Sequence, residues 1–314
     1  IDSYSVLFIM LMYLCMYEYS QHSFLKEKLS RTLLPLGLCG LFFALGAATK
    51  WICLYAGPGL CILFFYTVYQ RTKEYKYAKN AGLEDIVRRY KKNLTLTILF
   101  CVGVFIALPI CVYILSYYPY YNACNGNYGL KEIWENQVYM FTYHENLSGD
   151  PHPFQSSVYT WPFIIRPVYF FMGENMADNM RAVIWCMGNP LIFIGGLACV
   201  IGLIGVRSEP KTKLTGIPFI SIAALCQILP WILITREVFI YHYFSTIPFL
   251  ILAITYFMRY ICEKHGKKGK YFAIAFLAAS ALLFILFYPP ITGTPMNVWY
   301  ARLIRWSPLW PISL

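Results

Sequence analysis

Residues 33–48 read LLPLGLCGLFFALGAA and residues 54–69 read LYAGPGLCILFFYTVY, and neither run contains a charged side chain. The short connection between them, around Thr49-Lys50-Trp51, carries a single lysine. A helix needs about 20 predominantly apolar residues to cross the hydrocarbon core of a bilayer. The two runs therefore predict a pair of membrane-spanning helices joined by a tight turn.

The whole chain has the composition of a membrane protein. Of its 314 residues, 59% are hydrophobic and only 13% are charged, whereas soluble domains carry about a quarter charged residues. The sequence predicts an all-α membrane protein, a multi-span helical bundle with about eight transmembrane helices. The predicted spans are 4–17, 33–48, 54–69, 95–117, 190–206, 216–234, 238–258 and 271–288. The first is short and no Met precedes it, so we expect the chain to start inside a span.

Lysine and arginine are unevenly distributed among the connecting segments, and this predicts the orientation. Nineteen of the 26 basic residues lie in four segments, 18–32, 70–94, 207–215 and 259–270. Because cytoplasmic loops of membrane proteins are enriched in Lys and Arg, we expect these segments to face the cytoplasm. The net charge of +11 then reflects membrane topology and contact with anionic lipid headgroups, and it requires no nucleic acid partner.

The predicted organisation has four regions. They are the transmembrane helices of 1–117 with cytoplasmic loops 18–32 and 70–94, the extracytoplasmic loop 118–189, the C-terminal four-helix transmembrane region 190–288, and the extracytoplasmic tail 289–314. Loop 118–189 shows no helical pattern, and long loops of this kind are often functional. Within it, segment 160–172 is too short and too proline-interrupted to span and is expected at the membrane interface. The loop contains Cys124 and Cys186, and a disulfide between them is left open.

Two cations sit at predicted outer membrane boundaries. Lys50 lies between the second and third predicted spans. Arg236 lies between the sixth and seventh, ahead of Tyr241-His242-Tyr243. Ionisable residues at membrane boundaries often mark a site, and Arg binds phosphate through two parallel hydrogen bonds. The alternative is that both side chains bind no ligand and only extend their charged ends to the membrane–water interface, with their aliphatic stems in apolar surroundings. Physical reasoning alone leaves both interpretations open.

The outward loop combines histidines, hydroxyls and proline-bounded aromatic residues. His144 follows Tyr143, residues 152–157 read HPFQSS, and Trp161-Pro162 and Arg166-Pro167 come next. His144 and His152 lack a third ligand at helical spacing and no HExxH is present, so no metal site is predicted. No nucleotide-binding glycine loop or serine-hydrolase motif occurs, so no cofactor is predicted either. The loop is interpreted as a rigid surface that presents aromatic and hydroxyl groups to a sugar or peptide.

Several motifs, taken together and in order, resemble one family. They are GAATKW at 46–51 with LYAG at 54–57, SYYP at 116–119, HPF at 152–154, WP at 161–162, RP at 166–167, REVFIYHYF at 236–244, and YPPITGTP at 288–295 followed by Trp306 and Trp310. This series is similar to the dolichyl-phosphate-mannose–protein mannosyltransferases and their bacterial relatives, the protein O-mannosyltransferase family. The resemblance covers nearly the whole chain, and it rests on the combination, since each motif alone is weak.

The resemblance implies a GT-C fold and a metal-independent, inverting glycosyl transfer. The implied donor is a polyprenyl-phosphate-linked sugar, a hexose expected to be mannose, and the implied acceptor is a Ser or Thr hydroxyl of an exported protein. An Asp outside this chain is expected to act as general base, since no acidic pair here matches the family's N-terminal pair. The residues implied for the donor phosphate are Arg236 and, second, Lys50. Those implied for the substrate cleft are His144, His152, Ser157, Trp161 and Arg166, with His242 and Tyr243 behind them.

Eukaryotic members of this family carry a large extra domain in the long outward loop, whereas loop 118–189 has only about 70 residues. The resemblance therefore implies a bacterial-type member in the plasma membrane, with its active face outward. Membrane lipids are expected partners, and a dimer partner is left open. A related enzyme with a lipid or glycan acceptor is an alternative. A non-enzymatic transporter is a weaker one, because transporters often show paired repeats with broken helices and the sequence shows neither.

Overall fold

A computed structural model describes residues 1–145, 152–205 and 216–310. These ranges form twelve α-helices and four short β-strands. The helices are α1 Asp2–Gln21, α2 Leu29–Thr49, α3 Ala56–Asn80, α4 Glu84–Val102, α5 Leu108–Leu115, α6 Tyr118–Ala123, α7 Leu130–Glu145, α8 Pro190–Gly205, α9 Gly216–Ile228, α10 Ile247–His265, α11 Lys267–Thr292 and α12 Val298–Leu303. The strands are β1 Val168–Met172, β2 Met180–Arg181, β3 Val183–Cys186 and β4 Met296–Asn297.

The predicted multi-span helical class is confirmed. Within the described ranges, five helical segments are long and apolar enough to cross a bilayer: Leu29–Thr49, Trp51–Asn80, Glu84–Ala123, Gly216–Leu233 and Lys267–Thr292. The predicted number of eight is not confirmed. Spans 4–17 and 190–206 coincide with α1 and α8, and span 238–258 overlaps α10, but these three helices fall outside the five.

Span 238–258 was placed too early. The structure has a short 3-10 helix at Ile240–Ser245, and α10 begins only at Ile247, with a proline in its first turn. Proline fits the first turn of a helix because its missing N–H would be unpaired there in any case. The sequence Tyr241-His242-Tyr243 therefore lies before the helix rather than inside it.

The chain divides into two compact units, residues 1–144 with the described part of 208–226, and the described parts of 145–207 and 227–314. In the first unit α1 packs along α2, and α2 packs against α5 and the π-helical turn Gly103–Ala107. A Cβ on Gly40 would lie 2.5 Å from the Val104 carbonyl oxygen. Glycine at this contact lets the two backbones approach closely, a common device between membrane helices.

A buried ion pair fastens the connection between α1 and α2 to α3. The Arg71 side chain is 3% exposed and donates to the Glu74 carboxylate at 2.5 Å and to the Ser20 carbonyl at 2.8 Å. Ser23 donates to the other Glu74 oxygen at 2.7 Å. Removing one partner of such a pair would leave an uncompensated buried charge. The predicted cytoplasmic loop 18–32 is thus an ordered part of the first unit.

Region 118–189 differs from the predicted loop without helical pattern. It contains α6, the 16-residue helix α7 and the antiparallel pair β1–β3. The pattern was missed because short groups of charged and amide residues interrupt the apolar residues of α7. Segment 160–172 contains part of a 3-10 helix, Val158–Phe163, and strand β1. All eleven cysteines lie in the described ranges, and no disulfide joins Cys124 to Cys186.

The second unit combines α8, α10 and α11 with both strand pairs. β1 pairs with β3 and β2 pairs with β4, both antiparallel. The C-terminal segment packs into this unit, since the Trp310 indole donates to the Ile164 carbonyl at 2.8 Å and its ring contacts Trp185. Gly293, at φ 77°, ends α11 in the left-handed conformation, which glycine adopts without steric cost.

The orientation remains a prediction with a direct test. Cys124 is exposed in the region expected to face outward, and Lys268 is exposed in a segment expected to face the cytoplasm. A membrane-impermeant maleimide added to intact cells should label Cys124, and the Cys124→Ser variant should lose that label. In the Cys124→Ser background, Lys268→Cys should react only after permeabilisation. The reverse pattern would contradict the orientation and the outward placement of the site.

Candidate functional site

Seven of the nine residues predicted for the site lie in the second unit: His152, Ser157, Trp161, Arg166, Arg236, His242 and Tyr243. They come from the stretch 152–166, which includes the 3-10 helix at Val158–Phe163, and from the segment between α9 and α10. Neither stretch is a long helix, so hydrogen bonds and ring packing must fix their positions.

The HPFQSS segment is tied to the chain around Arg236. The Ser156 N–H donates to the Val238 carbonyl at 2.9 Å. The His152 N–H donates to the Glu237 carboxylate at 2.6 Å. The His152 ring contacts the Phe239 ring edge to face, with centroids 5.1 Å apart. Glu237 therefore holds the neighbouring segment in place, a role that the sequence did not suggest.

A cavity of about 370 Å³ opens between these segments, and we call it the two-arginine cleft. Its lining consists of Gln155, Ser156, Ser157, Val158, Tyr159, Arg166, Trp231, Ile232, Ile234, Arg236 and Val238. It thus combines two guanidinium groups, hydroxyl and amide groups, and an apolar wall of isoleucine, valine and tryptophan. Such a mixture suits a ligand with an anionic head and an apolar tail.

The two arginines have only carbonyl partners among the described residues. Arg166 donates to the Gln155 carbonyl at 3.3 Å, and Arg236 donates weakly to the Glu237 carbonyl at 3.5 Å. Neither forms an ion pair with a carboxylate in the described ranges. The ion pair between Arg236 and Glu237 that a purely structural role would favour is not formed. An anion between the two cations would relieve their mutual repulsion.

An aromatic cluster lies directly behind the cleft. Trp161 is fully buried, and its indole donates to the Ser156 carbonyl at 3.0 Å. Its ring contacts Trp231, His242 and Tyr243 at centroid distances of 5.8, 6.1 and 6.2 Å. His242 and Tyr243 are buried as well. Trp161, His242 and Tyr243 therefore support the cleft from behind. Among the predicted cleft residues whose side chains the structure describes, only Ser157 and Arg166 line it.

The other predicted residues lie elsewhere. His152 is exposed, and its Nδ1 accepts the Phe154 N–H at 3.2 Å. Lys50 directly follows α2 in the first unit and forms an ion pair with Asp2 at 2.5 Å. The His144 side chain lies outside the described residues. In the described ranges, no group of three or more His, Cys, Asp or Glu side chains is arranged to hold a metal ion.

Sequence reasoning missed part of the lining. Gln155 and Ser156 stand inside the quoted HPFQSS motif, and their position between His152 and Ser157 was the available signal. Ile232 and Ile234 were read as the end of a span, and nothing in the sequence distinguished them from lipid-facing residues.

The described fold and cleft define a multi-span integral membrane protein with a cationic cleft beside an apolar wall. Residues 129–310 match the family described as the C-terminal four-transmembrane region of protein O-mannosyltransferase. This match includes the cleft and covers more than half of the chain. The chain belongs to the protein O-mannosyltransferase family.

The chain is similar to several curated proteins that are named as lipid-phosphate-mannose–protein mannosyltransferases. The chain is 23% identical over 310 residues to the polyprenol-phosphate-mannose–protein mannosyltransferase of Mycolicibacterium smegmatis, covering 86% of this chain and 57% of the relative. It is 27% identical over 196 residues to dolichyl-phosphate-mannose–protein mannosyltransferase 1 of Saccharomyces cerevisiae, covering 58% and 24%. It is 22% identical over 207 residues to mannosyltransferase 5 of that type from Candida albicans, covering 58% and 28%. The chain thus spans about a quarter of each fungal relative's length and just over half of the mycobacterial one's.

Among solved structures, the chain is similar to the S. cerevisiae protein O-mannosyltransferase Pmt1-Pmt2 complex bound to the sugar donor. The TM-score is 0.48 at 24% identity, and the match covers 58% of this chain and 27% of the yeast chain.

Proposed function

We propose that the protein transfers a mannosyl residue from a polyprenyl-phosphate carrier to Ser or Thr hydroxyls of exported proteins, and that the two-arginine cleft holds the phosphate of the carrier. The observation that carries this proposal is the pair Arg166 and Arg236 lining one cleft without a carboxylate partner in the described ranges. The names of the mycobacterial and fungal relatives support the same donor and acceptor classes.

The chemistry assigns a definite task to the cleft. The acceptor hydroxyl oxygen bonds to C1 of the sugar, its proton passes to a base, and the bond from C1 to the phosphate oxygen breaks. The departing polyprenyl phosphate gains negative charge as that bond breaks. Cations already positioned at the phosphate stabilise this charge without reorganisation at the moment of reaction. The proposal assigns the base to no residue of this chain.

Each side of the cleft serves a different part of the donor. Arg166 and Arg236 would each offer a planar fork of N–H donors to the phosphate oxygens. The apolar wall of Ile232, Ile234 and Val238 would contact the first isoprene units. Ser157 and Tyr159, on the opposite stretch, would offer hydroxyls to the sugar. A second role for Lys50 at the phosphate stays a prediction, since the lysine belongs to the other unit and is paired with Asp2.

The location follows from the same proposal. A carrier that is itself a membrane lipid presents its phosphate at headgroup depth, so the cleft is proposed to lie at a membrane surface. The excess of basic residues in the opposite loops supports the outer face of a bacterial plasma membrane. The acceptor protein would be the partner, and further subunits are left open.

A transfer assay tests the function. Membranes that contain the protein, expressed from its complete reading frame, are incubated with polyprenyl-phosphate [³H]mannose and a Ser/Thr-rich peptide from an exported protein. We expect labelled peptide, and one polyprenyl phosphate released for each mannose transferred. Label that appears in a lipid or glycan instead of the peptide would contradict the protein acceptor, and intact donor would contradict the transferase activity.

A further inference from the structure

Helix α7 exposes a stripe of large apolar side chains. Leu130, Trp134, Val138 and Phe141 are 68, 70, 48 and 63% exposed. Their spacing of four, four and three residues places them within an arc of about 80°, because successive residues of an α-helix are 100° apart. Soluble proteins rarely leave such a continuous apolar surface uncovered. The stripe therefore needs a partner.

The rest of the α7 surface divides into two sectors of different character. One sector is half-buried and consists of Ile133, Asn136, Gln137 and Met140. The other carries the charged residues Lys131, Glu132 and Glu135, of which Lys131 and Glu135 form an exposed ion pair, together with the stacked rings of Tyr139 and Tyr143. Hydrogen bonds from the backbone N–H groups of Glu132 itself and of Gly129 lower the pKa of the Glu132 carboxyl. The helix therefore has one packed face, one apolar face and one face that carries charged side chains.

The packed face fastens α7 to the end of a membrane span. Tyr113 donates from its hydroxyl to the Gln137 amide oxygen at 2.7 Å. The Tyr117 hydroxyl accepts from the Gln137 and Asn136 amides at 2.8 and 3.0 Å. Both tyrosines lie in the last part of the span Glu84–Ala123.

The tyrosines around the end of that span indicate how deep it lies relative to the membrane surface. Tyr117 stacks with Tyr128, and Tyr118 stacks with Tyr121. Tyr and Trp are enriched where a membrane helix leaves the hydrocarbon core, because their rings combine an apolar body with a polar tip. Leu115, in the same span, is 68% exposed and continues its apolar surface towards α7. The tyrosines thus place α7 at the boundary between acyl chains and headgroups.

We propose that α7 is an interfacial helix whose stripe Leu130, Trp134, Val138 and Phe141 inserts among the acyl chains of the adjacent phospholipid leaflet. An amphipathic helix with an aromatic apolar face and a charged opposite face lies in the plane of the interface. The hydrogen-bonded packing of α7 against the end of a membrane span selects a lipid surface over a protein as the occupant. The inference concerns residues outside the two-arginine cleft and does not depend on the proposed activity.

Site-specific photocrosslinking tests the insertion. Benzoylphenylalanine is introduced as Trp134→benzoylphenylalanine and, in a matched variant, as Tyr139→benzoylphenylalanine. Tyr139 is the control because it is aromatic, lies on the same helix and is 67% exposed, but it belongs to the face that carries charged side chains. The protein is reconstituted into nanodiscs of phosphatidylethanolamine and phosphatidylglycerol and irradiated, and phospholipid adducts are counted by mass spectrometry. Ile110→benzoylphenylalanine, at an exposed position in the span, is the positive control.

We expect roughly tenfold more phospholipid adduct at position 134 than at position 139, because only the first position faces the acyl chains. Equal yields at the two positions would overturn the proposal. Adducts at position 134 to a protein chain rather than to phospholipid would overturn it as well and would identify the stripe as a protein interface. If the Trp134 variant fails to reconstitute, Phe141→benzoylphenylalanine is compared with Tyr139 under the same criteria.

Discussion

Replacing Arg236 with alanine is expected to lower donor-saturated turnover by roughly 30- to 1,000-fold. In the proposed mechanism, Arg236 faces the phosphate as the sugar–phosphate bond breaks, and the contact is stronger in the transition state than in the ground state. Removing one preorganised donor at a developing anion costs about 2–4 kcal/mol, which corresponds to that range of rates. Because the interaction is made chiefly in the transition state, kcat and kcat/KM should fall together. The measurement is the rate of mannose transfer at saturating donor.

Two further variants make this result specific. Arg236→Lys should also lose activity, since a lysine ammonium cannot reproduce the two-pronged geometry of a guanidinium. Arg302→Ala is the matched control, because Arg302 is an exposed arginine of the same unit that lies on α12 and does not line the cleft. Near-normal turnover of a folded Arg236→Ala protein would reject the phosphate role and leave Arg236 as a residue that only reaches to the interface.

Replacing Trp161 with alanine is expected to destabilise the second unit by about 3–5 kcal/mol, the usual cost of deleting a large buried aromatic side chain. Trp161 is fully buried, fills the space against Trp231, His242 and Tyr243, and ties Ser156 in place. Its removal creates a cavity and also frees the Ser156 carbonyl. Denaturant-induced unfolding in mixed micelles measures the change.

Tyr159→Ala controls for the loss of any aromatic residue beside the cleft. Tyr159 lines the cleft two residues away but is 65% exposed, so its removal should change stability by far less. Equal stability of the Trp161→Ala and Tyr159→Ala proteins would contradict the supporting role of the aromatic cluster.

The sequence was sufficient to predict a multi-span membrane protein, because long uncharged runs have few alternative interpretations. The runs 33–48 and 54–69 became α2 and the apolar part of the span Trp51–Asn80, joined through Lys50 as predicted. The segment 238–258 was misplaced for a local reason. Its first residues are as apolar as a span, but the chain adopts a 3-10 turn there, and proline at position 248 fixes the start of α10.

Only part of the cleft could be predicted from the sequence. Arg236 stood out because an ionisable residue at a membrane boundary carries a cost, whereas Arg166 and Ser157 were implied by the family resemblance. The structure brings all three to one cavity. The positions of Trp161, His242 and Tyr243 behind the cleft could not be predicted, since buried aromatic support and cleft-lining aromatic residues look alike in a sequence. Helix α7 was missed because its apolar stripe is narrow and flanked by charged residues.

Direct binding of polyprenyl phosphate tests the central claim, that the two-arginine cleft holds the carrier's phosphate. The lipid without its sugar is titrated into the reconstituted wild-type protein, the Arg166→Ala/Arg236→Ala double variant, the Lys50→Ala variant and the Arg302→Ala control. We expect the double variant to bind at least roughly 100-fold more weakly, since it loses two charge-assisted contacts of about 1.5–3 kcal/mol each before any coupling, while Arg302→Ala binds normally. Unchanged affinity of the folded double variant, with loss of binding in Lys50→Ala instead, would contradict the claim and move the phosphate site to the other unit.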